Sequence, residues 1–122
     1  SSENASGGPL LLRSGNGGVK GGEIQIKSGA GTKGQGGDVI IQSGSGNNSR
    51  AGNISIQVGS SFDGPGGDVN VMAGNTESST GAGGGVLLAG GASTRSFGGD
   101  VLVSAGMGGL DGGQVDIISG DG

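Results

Sequence analysis

The stretch Gly66-Gly67-Asp68-Val69-Asn70-Val71-Met72-Ala73-Gly74 decides how the chain is read. A glycine pair opens it. An acidic residue, a β-branched residue, a free position and a second apolar residue follow, and a glycine closes it. Working outward, the same frame starts at Ala51, Gly36, Gly21 and Gly7 on one side and at Gly83, Gly98 and Gly112 on the other. The eight copies begin 14, 15, 15, 15, 17, 15 and 14 residues apart. Self-similarity at a near-fixed period identifies a repeat architecture, because general glycine richness does not hold two apolar positions in phase.

Glycine occupies 35 of 122 positions, against about 7% in an average protein. A collagen helix needs glycine at every third position and abundant proline. This chain has two prolines and no such period. Glycine- and serine-rich chains lose much entropy on ordering, which favours disorder. The regular apolar pair in every copy argues for order. The net charge is −4, and the six basic residues are dispersed, so no basic patch for nucleic acid exists. No apolar run approaches the ~18 residues of a membrane span. No basic-then-apolar leader opens the sequence. Cysteine and histidine are both absent, which removes disulfides, the commonest general base and the commonest metal ligand.

Within each copy the apolar residues alternate. Ile24 and Ile26, Val39 and Ile41, Val69 and Val71, and Val101 and Val103 share one side, with polar or variable residues between them. Valine and isoleucine suit a pleated strand, and glycine pairs break helices. This pattern predicts strands near 10–13, 24–28, 39–43, 54–58, 69–73, 86–89, 101–105 and 115–119. Glycine, serine, asparagine and threonine loops join them, with glycines supplying positive φ at the corners. Equivalent strands on short, similar loops imply an all-β parallel solenoid of eight repeats. Two repeats per coil, forming two facing sheets, are favoured over one, because the loops carry little apolar surface to cover the valines and isoleucines. Residues 1–6 read as an extended lead-in and residues 7–122 as a single solenoid domain.

Candidate sites follow from this arrangement. Asp38, Asp68 and Asp100 share a frame position, so a ladder of carboxylates is a candidate Ca²⁺ site. The order of residues differs from the repeats-in-toxin nonapeptide, and the competing role is an aspartate accepting backbone N–H groups at a corner. Leu11, Ile40 and Leu102 occupy the outward middle position, where an apolar stripe marks contact with another chain. The bland alternative is exposed apolar residues scattered singly. Thr32, Thr76, Thr80 and Thr94 lie in loops with no Thr-x-Thr strand, which argues against ice binding. Phe62 and Phe97 are the only aromatics and are expected to plug loop gaps against the core, ahead of stacking on a sugar. Asn4, Asn47 and Asn53 open Asn-x-Ser sequons, a weak sign of secretion. Catalysis lacks a nucleophile–base pair, and no cofactor motif precedes a helix, so no enzyme is expected.

The frame Gly-Gly-[Asp/Asn]-Val-x-Ile-x-[Ser/Ala]-Gly over residues 7–120 resembles glycine-rich repeat arrays of extracellular microalgal surface proteins and of phage fibre proteins. The resemblance implies a structural or adhesive role outside the cell or on a virion, and it transfers no functional residue. The missing glycine pair at Ala51-Gly52 and the long loop 75–82 depart from it. The resulting expectation is a non-catalytic building block of a filament, stalk or coat, with its own copies as partners. It would join through uncapped solenoid ends, where Asp116 and Ile118 of the last copy meet the first copy of the next unit. The rival is an adhesin whose irregular loops recognise a glycan or a host surface.

Overall fold

A computed structural model of the chain describes residues 6–121. Among them there is no helix and no strand, so the solenoid, its sheets and its eight strands are not formed. The chain divides into two units, Ser1–Gln57 and Val58–Gly122. In the first, three loops separate the repeat segments, with bends at 18–20, 32–34 and 47–49. In the second there are four, with bends at 62–64, 79–80, 94–96 and 109–111.

A strand is a pairing property, and the backbone pairs elsewhere. Six backbone–backbone hydrogen bonds occur among the described residues, and all six do one job. The N–H of the second glycine of a pair donates to the carbonyl of the glycine that closed the preceding copy. Gly22 reaches Gly15 at 2.8 Å, Gly37 reaches Gly29 at 2.9 Å and Gly52 reaches Gly44 at 2.9 Å. In the second unit Gly84 reaches Gly74 at 2.9 Å, Gly99 reaches Gly91 at 2.8 Å and Gly113 reaches Gly106 at 2.9 Å. Each bond closes the neck of a loop whose two ends meet, as in an Ω-loop. The glycine pair therefore hooks the chain back on itself instead of handing a strand to a parallel neighbour. Alternation of valine and isoleucine gives strand propensity, but with no ladder it gives no strand.

Glycine also serves differently from expectation. No described residue, glycine included, has positive φ. The requirement is for close approach. A Cβ on Gly22 would stand 3.1 Å from the Ser14 Cβ, and one on Gly52 would stand 3.3 Å from the Ser43 Cβ. The equivalent contacts are 3.4 Å for Gly37 on Ser28, 3.3 Å for Gly84 on Ala73 and 3.4 Å for Gly113 on Ala105. The small residue before each closing glycine and the second glycine of the next pair thus form one tight neck. Ser43 and Ala73, both neck residues, are the only half-buried positions among the described residues; every other one is exposed.

No core exists among the described residues. The chain exposes 12640 Å². A compact protein of 11.3 kDa exposes about 5,700 Å², and the unfolded chain about 16,400 Å². Among the described residues the facing sheets that were to bury Val, Ile and Leu are absent, and so is the core that Phe62 and Phe97 were to plug: these two are 98% and 96% exposed.

Candidate functional site: loop necks and uncovered apolar rows

Two features recur in every unit and are the candidates for function. The first is the loop itself. Two residues after the closing glycine stands either another glycine or a hydroxyl residue. Gly17, Gly31, Gly46 and Gly108 are the glycine form. A Cβ there would run into backbone carbonyls, of Lys20 at Gly17, Gln35 at Gly31, Ser49 at Gly46 and Asp111 at Gly108. Ser61, Thr76 and Ser93 are the hydroxyl form. There the side-chain oxygen accepts the backbone N–H groups of the bend. Gly64 donates to Ser61 Oγ at 3.1 Å, Ser78 to Thr76 Oγ1 at 3.1 Å, and Arg95 and Ser96 to Ser93 Oγ at 3.3 and 2.9 Å. One loop form is tight because a side chain is missing, the other because a side chain takes up the donors. In the long loop 74–84, Ser78 Oγ additionally accepts from Thr80 and Gly81 at 3.3 and 3.1 Å. At the first neck Ser14 Oγ donates to the Gly22 carbonyl at 2.9 Å. This two-way choice was readable in the sequence at a constant offset, Gly17, Gly31, Gly46 and Gly108 against Ser61, Thr76 and Ser93, and the strand-centred reading passed over it.

The second feature is the apolar row. The first apolar position of the frame, held by Ile24, Val39, Ile54, Val69, Val86, Val101 and Val115, is 47–56% exposed in seven of the eight copies, and Leu10 of the first copy is 98% exposed. The middle position is more open in the third, sixth and seventh copies, with Ile40 at 82%, Leu87 at 91% and Leu102 at 87%, while Leu11 in the first copy, at 73%, is less open than Leu10. The second apolar position, expected on the same side as the first, is open as well, with Ile41 at 69%, Val71 at 72% and Ile117 at 94%, so only the first position keeps a trace of the alternation and no side is buried. Of the positions expected to mediate self-association, Leu11, Ile40, Leu102 and Ile118 are exposed large apolar residues, and Asp116 is exposed between Val115 and Ile117. The sheet that was to stack Leu11 on Ile40 is not formed among the described residues.

The aspartates are solvent-facing. No hydrogen bond among the described residues involves the carboxylates of Asp38, Asp68 or Asp100, so the expected corner bonds are not made. No group of three or more acidic residues that could hold a metal ion occurs among the described residues. Of the sequons, Asn47 sits at the bend 47–49, and the Asn53 side chain accepts from Arg50 Nη2 at 3.2 Å through Oδ1. Asn4 lies outside the described residues. No helix is long and apolar enough to cross a membrane among them. Compared with protein-family models, curated proteins and solved structures, the chain matches none.

Proposed function

We propose that the chain is a non-catalytic structural element that assembles with copies of itself, in an extracellular or virion filament, stalk or coat. One observation carries the proposal: every large apolar residue is exposed among the described residues. Six neck bonds at about 1 kcal/mol each cannot offset a backbone entropy cost of about 1–2 kcal/mol per ordered residue. The surface left open relative to a compact protein is about 6,900 Å², while a standard interface takes about 800 Å² from each partner. A second copy presents the same rows at the same spacing, which makes it the natural cover.

The test is sedimentation velocity with electron microscopy across a concentration series. The chain is expected to form concentration-dependent particles. Val71→Asp, which charges a row position, is expected to raise the concentration for assembly about tenfold or more, from the lost burial of one valine. Asn75→Asp, in the adjoining loop and outside the apolar positions of the frame, serves as the control for charge and leaves assembly nearly unchanged. A monomer at all concentrations, or equal effects of the two substitutions, refutes the proposal.

A second reading has its own observation. Phe62 and Phe97 are almost wholly solvent-exposed, as platforms for stacking on a glycan would be. A specific hit on a glycan array that is lost in Phe62→Ala or Phe97→Ala favours adhesion over assembly.

A further inference from the structure

Six loops have closed necks and the loop 59–67 does not. Its cause is local. Where the other necks place Ser14, Ser28, Ser43, Ala73, Gly90 or Ala105, this one places Val58. A Cβ on Gly67 would stand 2.9 Å from Val58 Cγ1, and it is this branch, not the Cβ seen at five of the other six necks, that fills the approach. Among the described residues the Gly67 N–H has no partner, although Ser61 Oγ still holds the bend through Gly64 at 3.1 Å. At that bend stands Phe62. The loop lies between the fourth and fifth of the eight copies.

We infer that loop 59–67 is a proteolytic processing site, cut after Phe62 by an endoprotease that accepts a large aromatic side chain. An endoprotease must draw several residues of substrate into an extended form, and a loop with a closed neck resists this until the neck opens. Here no neck has to open. Hydrolysis consumes one water, leaves a carboxylate on Phe62 and an amine on Asp63, and separates four copies from four. Phe97 is the internal control. It is equally exposed, but its loop is closed by Gly99 on Gly91 at 2.8 Å.

The experiment is limited proteolysis of the full chain with chymotrypsin, read by mass spectrometry. Each cleavage rate is divided by that of a short linear peptide of matching sequence, which removes the enzyme's own preference. The normalised rate at Phe62 is expected to exceed that at Phe97 by about fivefold, the worth of one net hydrogen bond. Val58→Ala lets the neck close and brings the Phe62 rate down to that of Phe97. Residue-resolved amide exchange gives an independent reading: Gly67 exchanges about fivefold faster than Gly52, Gly84 and Gly99 in the unmodified chain, and matches them in Val58→Ala. A first cut at Phe97, or a Phe62 rate unchanged by Val58→Ala, overturns the inference.

Discussion

Gly46 and Gly44 lie two positions apart in one loop, and the structure separates them sharply. An alanine Cβ at Gly44 meets nothing within 4 Å. At Gly46 it meets the carbonyl of Ser49 and stands 2.7 Å from the carbonyl oxygen of Arg50. To reach the 3.4 Å of ordinary contact, the Arg50 carbonyl has to retreat about 0.7 Å. Arg50 is two residues before Gly52, whose N–H closes the neck on Gly44 at 2.9 Å. A displacement of that size carried along the chain lengthens the bond to about 3.6 Å, beyond hydrogen-bond range. The loss is about 1 kcal/mol, so Gly46→Ala is expected to speed amide exchange at Gly52 by about fivefold. Gly44→Ala has negative φ available to it and removes freedom from the unfolded chain, so exchange at Gly52 stays the same or slows slightly. Hydrogen exchange read residue by residue by NMR decides it. Equal behaviour of the two variants refutes the claim that these glycines are required for close approach.

Two further outcomes are expected. Ser93→Ala removes the acceptor of two backbone donors and should raise exchange at Ser96 by about three- to tenfold, whereas Ser93→Gly, which restores the other loop form, should lose less; NMR exchange at Ser96 checks both. Chelator should leave sedimentation and exchange unchanged, and a change reversed by Ca²⁺ would show that Asp38, Asp68 and Asp100 gather around a cation.

The repeat and its boundaries were legible in the sequence because they rest on glycine placement, which has one local meaning at each position. In six of the eight copies the second glycine of the frame does sit at a structural node, as at Gly37 and Gly84. The strands were not legible, because Val39-Ile40-Ile41 states only a preference for pairing and not where a partner is. The face assignment was half legible. Val39 and Val101 are more covered than Ile40 and Leu102, yet nothing within the described residues turns that difference into a core. Val58 was visible as a deviation in the position otherwise held by serine, alanine or glycine. It was passed over because valine suits the strand expected there. Its meaning appeared only when that position proved to be the neck of a loop.

Variation in the repeat length is confined to the loops, and the necks explain why. From the second glycine of a pair to the closing glycine the count is seven positions each time: 22 to 29, 37 to 44, 52 to 59, 67 to 74, 84 to 91 and 99 to 106. The loops between them differ, and the longest, 74–84, still closes at 2.9 Å, the same length as 29–37. Ring closure is insensitive to such differences: going from a seven-residue to a ten-residue span costs only about 0.3 kcal/mol in loop entropy. A loop can therefore lengthen, acquire the Thr76–Thr80 hydroxyl cluster or lose its neck at Val58 without moving the segments' internal spacing. A segment has no such freedom. One added residue would shift Val and Ile relative to both glycine nodes and displace the apolar row from the position it holds in every other copy. In a self-assembling chain that row is the contact surface, so selection on assembly would hold the segments constant and leave the loops to vary, and the sequence has that distribution of lengths.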